Sequence, residues 1–360
     1  MEAVLSSSKV YSSYLRFLRV TAKIRKRLRP LGKDVNRVYF PQRVAQYRAM
    51  WRAVAEEVGA RFVELAADTW EIELNGRRTR IANHKLEFDN PVVLKMAGDK
   101  PLMHRLLKEA GLAVPEHDVF TLSELDRAFR FLSRHPKGCV IKPADGSAGL
   151  GVTTHVETIS EVRHAAVLAS LYGDEMLIEA QIPGECYRLL VVEGRMLHAV
   201  CRRGPRLSGD GTSTVSQLLR AYIERAGHPL KVDRNMLFTL DCQGLSLQSV
   251  PEAGRTIVVK TIPQEVDRFV ELRTVYNATV TDSICESVRK SAEAAARVLR
   301  SDFVGVDIIT PDPMVPLEQA GGIINEVNTT PALHHHFDSD NEKYPKVAME
   351  VLSVLLRRSH

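Results

Sequence analysis

The first feature of the chain that could do chemistry is a glycine-rich segment that follows a short apolar stretch. Residues 145–151 have the sequence DGSAGLG and come directly after an extended stretch that ends in Lys142 and Pro143. Glycines at this density let backbone N–H groups approach phosphate oxygens closely. The segment lacks the Gly-Lys-Ser/Thr ending of a P-loop and the spacing of a dinucleotide-binding turn. A phosphate-binding loop and a plain glycine-rich hairpin between two strands are both consistent with it.

A second candidate site consists of oxygen-bearing side chains near the C-terminus. Asp307 lies in the stretch GVDII, and Glu326 and Asn328 lie in IINEVN. Both stretches are predicted strands, and residues two apart on a strand face the same side. Glu326 and Asn328 can therefore converge on one ion, and oxygen ligands are the type that magnesium prefers. The alternative is a buried polar pair that binds loop backbone, but the spacing beside a third acid favours a metal site.

The elements that must position these residues are short and irregularly ordered. Asn75-Gly76 between two strand-like runs predicts a type I′ hairpin. The order of helices and strands does not fit a regular doubly wound sheet, so we predict an α+β fold of mixed or antiparallel sheets. The predicted helices are 44–58, 100–110, 123–132, 161–171, 215–223, 283–300 and 346–356, and the predicted strands are 61–65, 71–74, 78–81, 139–142, 176–179, 188–192, 196–201, 304–309 and 322–327.

The N-terminal segment is strongly basic. Residues 1–33 contain nine Lys or Arg and a single acid, Glu2. Their apolar residues recur at helical spacing, which predicts an amphipathic helix with one apolar stripe. Such a helix could bind an anionic membrane surface or an acidic protein, or its stripe could pack on its own domain. The stripe consists of Val10, Tyr14, Phe17, Ile24, Leu28 and Leu31, with Thr21 between them.

Composition excludes several classes of protein. The chain has 360 residues, 44% of them hydrophobic and 26% charged, which is typical of a folded protein. The net charge of +5 is too small to indicate nucleic acid as a partner. No apolar run approaches the roughly 20 residues of a membrane span. The five dispersed cysteines do not suggest a disulfide framework or a zinc ribbon, and they favour a reducing, cytoplasmic location.

Several motifs, taken in order, resemble the ATP-grasp superfamily. The resemblance covers roughly residues 70–356 and is most specific for cyanophycin synthetases and for the ATP-grasp half of bifunctional glutathione synthetases. It implies an ATP-grasp fold, in which two α/β lobes clamp ATP, with a small α/β unit before them. The residues and stretches that carry it are Lys142 with the glycine-rich segment, Glu179, Gly184, Arg188, Asp307, GDGTSTVSQLL at 209–219, LSLQSVPEAGR at 245–255, VTD at 280–282 and NEVNTTPALHHH at 325–336.

The resemblance implies a nucleotide site. Lys100 resembles the first of two family lysines that bind nucleotide phosphate, and Lys142 resembles the second, which lies near the α-phosphate and adenine. The segment 179–182 resembles a hinge that binds adenine through backbone groups. The ATP-binding residues implied in this way are Lys100, Lys142, Gly146, Ser147, Ala148, Gly149, Gly151, Glu179, Ala180, Gln181, Ile182 and Glu185.

The resemblance also implies groups that act on the transferred phosphoryl group, on a metal and on the second substrate. The metal is Mg²⁺, for which Mn²⁺ can substitute. His334 and His335 match no family residue, and a solvated role and a substrate-lining role are equally consistent with them. The implied residues are Arg188 and Arg203 as catalytic groups, Asp307, Glu326 and Asn328 as metal ligands, and His336 and Arg206 as substrate contacts.

The chain departs from the family pattern at positions that bear on its substrates. Cys186 stands where relatives have the acid that holds the ribose, so that contact has either moved to Glu185 or been lost. The sequence RTVYNA at 273–278 replaces a Ser-Thr-Gly-Gly stretch of the relatives. Because that stretch borders the acceptor site, we expect substrates other than cyanophycin or γ-glutamylcysteine.

The function implied is a stand-alone ligase that joins a carboxylate to an amine. The carboxylate would attack the γ-phosphate of ATP, an amine would displace phosphate from the acyl phosphate, and ADP and phosphate would leave. Phosphoryl transfer needs positioning and charge neutralisation, which cations, metal ligands and glycines supply. A phosphotransferase on the same scaffold and a non-catalytic nucleotide-sensing docking protein are the alternatives, although a docking protein would not need the full metal set.

The sequence also suggests how the chain is divided and what it binds. We expect a basic helix at 1–33, an α/β unit at 34–98, a central lobe with the glycine-rich loop at 99–178, and a C-terminal lobe with the metal site at 179–360. The expected partners are a small carboxylate and an amine, either an amino acid or a peptide. A homo-oligomer is common among relatives, but nothing in the sequence defines an interface.

Overall fold

The structure is a computed structural model, and it describes residues 13, 17, 19–21, 24, 35–145, 151–202, 205–226, 230, 232–260, 277–336 and 344–358. These residues form helices and mainly antiparallel sheets. The helices are α1 (Val35–Glu57), α2 (Pro91–Gly98), α3 (Lys100–Glu109), α4 (Leu125–Arg134), α5 (Ile159–Ala169), α6 (Val215–Ala226), α7 (Arg234–Asp241), α8 (Glu286–Leu299), α9 (Leu317–Ala320) and α10 (Val347–Arg358).

The strands are short and form four sheets within the described residues. They are β1 (Arg61–Ala66), β2 (Thr69–Leu74), β3 (Arg77–Ala82), β4 (His117–Phe120), β5 (Cys139–Pro143), β6 (Thr153–Val156), β7 (Met176–Ala180), β8 (Glu185–Val192), β9 (Arg195–Arg202), β10 (Arg206–Ser208), β11 (Thr256–Val258), β12 (Asn277–Thr279), β13 (Phe303–Thr310) and β14 (Ile323–Thr329).

The chain divides into two compact units. The first unit comprises Met1–Asp34 and Lys95–Ile182, and the second comprises Val35–Leu94 and Pro183–His360. The segment between residues 35 and 94 therefore belongs with the C-terminal half of the chain. The α/β unit predicted at 34–98 overlaps this segment.

The first unit is built on a four-stranded antiparallel sheet in the order β4-β7-β5-β6. Helices α4 and α5 pack against it, and Phe120, Phe131, Ile141, Val162 and Ile178 are among the buried residues of their common core. Removing such side chains from water is the main stabilising contribution of this layer. The sheet holds Lys142 on β5 and Glu179 on β7.

The second unit is built on a five-stranded antiparallel sheet in the order β12-β9-β8-β13-β14. Helix α8 packs on it, because Val288, Ala292, Ala296 and Leu299 form a buried stripe at helical spacing. The helix ends at Arg300, which adopts a left-handed conformation with φ 57°. This sheet holds the acids predicted to bind metal.

Two smaller sheets complete the second unit. Strands β1 to β3 form an antiparallel meander, and Asn75 and Gly76 both have positive φ, as the predicted type I′ hairpin requires. Trp51 of α1 and Trp70 of β2 are fully buried in a core that also includes Leu352 of α10. Strands β10 and β11 pair beside α6 and α7 around a separate core.

Six residues of the N-terminal segment are described, and all six are helical. Phe17 and Ile24 of the predicted stripe are 63% and 47% exposed, and so is their neighbour Val20 at 53%, so these apolar side chains are not packed. Arg19 donates hydrogen bonds to Ser170 O and to Asp174 within the first unit. The other predicted stripe residues, Val10, Tyr14, Leu28 and Leu31, lie outside the described residues.

Two general properties of the described chain bear on its class. No helix among these residues combines the length and the hydropathy needed to cross a bilayer. All five cysteines are free thiols, and burial raises the pKa of Cys139 to about 12.

Candidate active site

The charged residues of the second unit lie on one face of its central sheet. In the antiparallel register, Asp307 of β13 is opposite Arg188 of β8 on one side and Glu326 of β14 on the other. Directly opposed residues project from the same face of a sheet. Arg188 and Asp307 are 119 positions apart in the sequence, so strand pairing is what brings them together.

Asp307 is the centre of this cluster. Its carboxylate accepts hydrogen bonds from Arg188 Nε at 2.7 Å and from Arg188 Nη2 at 2.6 Å, so the guanidinium binds it through both oxygens. Asn328 Nδ2 donates a third hydrogen bond to Asp307 Oδ2 at 3.2 Å. The side chains of Arg188 and Asp307 are only 12% and 5% exposed. A two-pronged pair of this kind is strong and holds both groups in one geometry.

Burial and pairing act in opposite directions on Arg188. Burial by itself would lower the pKa of the guanidinium, but the Asp307 carboxylate outweighs that effect and the pKa is raised overall. Arg188 therefore stays cationic at every pH at which the protein is folded. Removing one partner of a buried pair leaves the other charge uncompensated, which typically costs about 3–5 kcal/mol.

Gly305 provides the space in which Arg188 lies. A Cβ at this position would come within 3.0 Å of Pro331 Cβ and within 3.6 Å of Arg188 Cδ. Gly305 is opposite Leu190 on β8 and opposite Asn328 on β14, one position along the same face from the charged row. A larger residue would therefore push against the arginine and against the turn that follows β14.

The acids and the amide beside them fit a magnesium ion. Asp307, Glu326 and Asn328 offer two carboxylates and one carboxamide on neighbouring strands, and Mg²⁺ is commonly bound by one or two carboxylates together with substrate phosphates. Asn328 uses Nδ2 to bind Asp307, so Oδ1 is the atom it could offer. Within the described residues, no three His, Cys, Asp or Glu side chains are grouped so that they could hold a metal alone.

A second buried ion pair lies in the first unit. Lys142 is opposite Leu177 and Glu179 is opposite Val140, so the two charged residues are diagonal neighbours on one face of the β5–β7 pair. Lys142 Nζ lies 2.8 Å from Glu179 Oε2, and the side chains are 7% and 3% exposed. The lysine predicted to bind nucleotide phosphate is therefore held in place by the first residue of the predicted hinge.

His104 of α3 borders this ion pair. Its Nδ1 lies 3.6 Å from Glu179 Oε1, and Glu179 Oε1 has no hydrogen-bond partner among the described residues. The His104 ring meets the ring of His117 edge to face, at 4.9 Å between centroids. His104 was not predicted, because a lone histidine on the buried face of a helix has no sequence pattern that indicates a functional role.

Lys100 lies next to Ala144, the residue that follows β5. Lys100 is 8% exposed at the start of α3, and its backbone N–H donates to Ala144 O at 3.2 Å. Gly151 has φ +75°, and a Cβ there would lie 2.7 Å from Tyr172 Cδ2 and 3.2 Å from Ala169 Cα. Packing therefore requires glycine at this position whether or not it also binds phosphate. Gly146, Ser147, Ala148, Gly149 and Arg203 lie outside the described residues.

The predicted adenine hinge already uses part of its backbone. The N–H of Ala180 donates to Glu116 O, and the N–H of Gln181 donates to Gly138 O, each at 3.0 Å. The Gln181 side chain accepts from His155 N at 3.1 Å. An adenine contact in this segment would therefore have to use its carbonyl groups or the N–H of Ile182.

Arg206 contacts a protein carboxylate. Its Nη2 donates to Glu185 Oε2 at 2.5 Å, and Glu185 Oε1 is buried without a hydrogen-bond partner among the described residues. Arg206, which we predict to bind substrate, is therefore already paired with Glu185, the acid that we predict to bind the ribose. Gly184 precedes this site with φ +114°, and a Cβ there would lie 2.2 Å from the backbone of Thr310.

Histidines from separate parts of the sequence gather in the second unit. His198 Nδ1 lies 3.0 Å from His336 Nδ1, and the Tyr47 hydroxyl lies 2.8 Å from His334 Nδ1. The rings of His334 and His335 are 4.1 Å apart between centroids. Burial lowers the pKa of both His335 and His336, and their histidine and arginine neighbours lower it further. His198 and Tyr47 were not predicted, since neither lies in a recognisable motif.

No protein-family model matches the chain. A cyanophycin synthetase of Crocosphaera subtropica is 30% identical over 287 residues, which is 74% of this chain and 31% of the relative. The glutathione biosynthesis bifunctional protein GshAB of Enterococcus faecalis is 28% identical over 281 residues, which is 74% of this chain and 36% of the relative.

A solved structure identifies the fold. The crystal structure of a bifunctional glutathione synthetase from Pasteurella multocida matches with a TM-score of 0.50 and 20% sequence identity, covering 83% of this chain and 41% of that one. The chain has the ATP-grasp fold.

The ATP-grasp assignment confirms the α+β prediction and the resemblance to cyanophycin synthetases and bifunctional glutathione synthetases. The chain spans only 31% to 36% of the length of these two curated relatives. The region shared with these relatives is therefore one part of each.

Proposed function

We propose that the chain is an ATP-dependent ligase that joins a carboxylate to an amine through an acyl phosphate and releases ADP and phosphate. The observation that carries this proposal is the buried pair of Arg188 and Asp307, with Glu326 and Asn328 beside it on one sheet face. Such a cluster supports phosphoryl transfer, which depends on fixed cations and metal ligands. The names of the sequence relatives, all synthetases or biosynthetic proteins, support the ligase outcome.

In this proposal the first unit binds the nucleotide. Lys142 and Lys100 would bind ATP phosphates, and both are held before nucleotide arrives, Lys142 by Glu179 and Lys100 by its backbone bond to Ala144. Preorganised cations need little reorganisation when charge develops on the phosphates. In the second unit, Arg206 holds Oε2 of Glu185 and so orients the carboxylate, whose Oε1 would accept from a ribose hydroxyl.

The second unit would stabilise the transfer step. Arg188 is held by both oxygens of Asp307 and can direct its remaining N–H groups at the phosphoryl group. Asp307, Glu326 and Asn328 would hold Mg²⁺, which neutralises charge on the phosphates when it is bound. Arg203 would add a second cation. His336 would lie at the acyl site, where the amine attacks.

The remaining proposals concern substrates and location. A small carboxylate and an amine, either an amino acid or a peptide, are the proposed substrates, by analogy with the products that the relatives' names describe. A cytoplasmic location is proposed from the odd number of dispersed cysteines, which favours a reducing compartment.

The proposal can be tested by turnover of the full chain with MgATP and pooled amino acids and small carboxylates. ADP, free phosphate and product masses are recorded in the same reactions. We expect a new mass equal to carboxylate plus amine minus water, with ADP and phosphate formed in equal amounts. Arg188→Gln should abolish this product, whereas Arg195→Gln, at an exposed position of β9, should not.

Two results would contradict the ligase. A phosphorylated product without free phosphate would indicate a phosphotransferase on the same fold. ATP binding without turnover across the pool would favour a nucleotide-binding role without catalysis.

A further inference from the structure

His198 and His336, both in the second unit, contact each other through their Nδ1 atoms. His198 lies on β9, opposite Leu190, on the same sheet face as Arg188. His336 ends the one-turn helix Leu333–His336 and is 4% exposed. Their Nδ1 atoms are 3.0 Å apart, and the rings meet at 80°. The contact is therefore a hydrogen bond in which one Nδ1 carries the proton and the other accepts it.

This geometry ties the tautomers of the two rings together. If both rings are neutral, the ring that donates from Nδ1 has a lone pair on Nε2, and the other ring has its proton on Nε2. His336 Nε2 is buried and has no hydrogen-bond partner among the described residues. His198 is only half-buried, so water can reach its ring. The arrangement favours His336 as donor, with a lone pair on its buried Nε2 and the proton of His198 on the more accessible side.

Burial and the neighbouring charged groups favour the neutral form of His336. Burial is the main cause of the lowered pKa of His336. The charge of Arg188, and of His198 and His334 when they are protonated, lowers this pKa further. Arg188 is itself neutralised by Asp307, so its effect on His336 is reduced. A neutral buried imidazole that is hydrogen-bonded to a second, half-buried imidazole is suited to accept a proton from a substrate and to pass one on.

We propose that His336 and His198 form a proton relay that removes the proton from the attacking amine during amide formation. The inference rests on the proposed ligase function and names a role for the pair within it. His336 touches the amine and is the catalytic residue. His198 acts through His336 and is a positioning and relay residue.

The relay moves one proton from substrate to water. The amine nitrogen forms its bond to the acyl carbon and the bond from that carbon to phosphate oxygen breaks, so phosphate leaves with the electron pair. The proton of the amine passes to His336 Nε2. His336 passes its Nδ1 proton to His198 Nδ1, and His198 releases its Nε2 proton to water. Each ring ends neutral, with its tautomer reversed.

The test separates acyl phosphate formation from amine attack. Hydroxylamine is a strong nucleophile that is largely unprotonated at neutral pH, so it captures an acyl phosphate as a hydroxamate without a base. The full chain is assayed with MgATP and the carboxylate found by the pooled turnover experiment, once with hydroxylamine and once with the amine substrate. Hydroxamate and amide are both quantified by mass.

Three variants define the relay. His198→Asn keeps a side-chain oxygen that can accept from His336 Nδ1 but cannot pass a proton on. His336→Gln keeps a polar group near the position of Nε2 but removes its basicity. His164→Gln is the matched control, because His164 is an exposed histidine on α5.

We expect both relay variants to form hydroxamate at the rate of the unaltered protein and to lose amide formation by about 10²-fold or more, which is typical for loss of a general base. Their residual amide formation should rise with pH through the ionisation of the amine itself. The unaltered protein should show the same dependence on the amine, and its amide formation should also fall as the pH drops through the lowered pKa of His336, a step that His336→Gln lacks.

Other outcomes would overturn the relay. Amide formation at the unaltered rate in either variant would show that the pair does not move the proton. Equal loss of hydroxamate and amide would show that the pair acts in binding or folding instead. If the unaltered protein forms no hydroxamate from any carboxylate, the ligase proposal fails, and the relay fails with it.

Discussion

At the scale of single residues, the pair of Arg188 and Asp307 has two roles that are hard to separate by mutation. Asp307 is a predicted metal ligand, but both of its oxygens also bind Arg188. A substitution of Asp307 therefore removes a predicted metal ligand and, at the same time, leaves the buried cation of Arg188 without its negative partner. Glu326 lies opposite Asp307 on the next strand, outside that bidentate pair, and provides a cleaner test.

The first prediction compares these two acids. Asp307→Asn should lower the free energy of unfolding by about 3–5 kcal/mol, because Arg188 stays buried without its partner. Glu326→Gln should keep the Arg188–Asp307 pair and should therefore destabilise the protein less than Asp307→Asn does. Urea unfolding measures both, and ADP release measures turnover.

The expected turnover separates the roles. Glu326→Gln should reduce ADP release by about 10²-fold or more, because it removes a carboxylate that is predicted to bind the metal. If that variant is as active as the unaltered protein, Glu326 does not bind the metal. If Asp307→Asn unfolds at the same urea concentration as the unaltered protein, the buried pair contributes little to stability.

At the scale of secondary-structure elements, the antiparallel pairing of β8, β13 and β14 is what creates the charged row. Gly305 lies beside this row, and a Cβ there would come within 3.0 Å of Pro331 Cβ but would be in ordinary contact with Arg188 Cδ at 3.6 Å. The constraint on this position therefore comes mainly from Pro331.

The second prediction concerns that glycine. Gly305→Ala should destabilise the protein by about 1–3 kcal/mol, since its Cβ would lie only 3.0 Å from Pro331 Cβ. Turnover should change little, because the new Cβ would be in ordinary van der Waals contact with Arg188 Cδ at 3.6 Å and would leave the Arg188–Asp307 pair intact. Thermal unfolding and ADP release are the measurements. Gly98→Ala is the control, because a Cβ there meets nothing within 4 Å.

The third prediction concerns β5 and β7 in the first unit. Lys142→Met should be strongly destabilising, because it leaves Glu179 buried and unpaired, and adding Glu179→Gln should restore part of the stability. The double variant should still fail to bind ATP if Lys142 contacts phosphate. Urea unfolding and equilibrium ATP binding are measured on both variants.

Two results would contradict this prediction. Additive losses in the double variant would show that Lys142 and Glu179 are not coupled. If the double variant regains both its stability and its affinity for ATP, Lys142 supports the fold but does not contact nucleotide.

At the scale of the whole molecule, the chain forms two units whose boundaries do not follow the sequence order. Residues 35–94 belong to the same unit as 183–360, while the first unit takes 95–182 and the N-terminal segment. The described N-terminal residues contribute little buried apolar surface, since Phe17, Val20 and Ile24 are all exposed.

The fourth prediction follows from that exposure. Deleting residues 1–33 should lower the midpoint of thermal unfolding by only a few degrees, because Phe17, Val20 and Ile24 are exposed and the ion pair of Arg19 with the exposed Asp174 is worth about 1 kcal/mol or less. The chemistry should be unchanged. A large fall in the midpoint would instead support a helix whose stripe packs on its own unit.

The sequence by itself determined the fold class and most of the elements. The hairpin at Asn75-Gly76 formed as predicted, because only a few residue types tolerate two successive positive φ angles. Short, mostly apolar runs located β5, β8 and β13, because a strand that is buried on both faces needs apolar residues in succession. The ordered motifs from Lys142 to Asn328 led to the ATP-grasp fold.

Only the tertiary structure decided which of these residues meet. Local patterns carry no information on contacts between distant strands, so the pairing of Arg188 with Asp307, of Lys142 with Glu179 and of His198 with His336 could not be predicted. The same limit applies to Gly305, whose role depends on the side chains that cross above it. These contacts arise from strand register and packing, which the whole chain sets together.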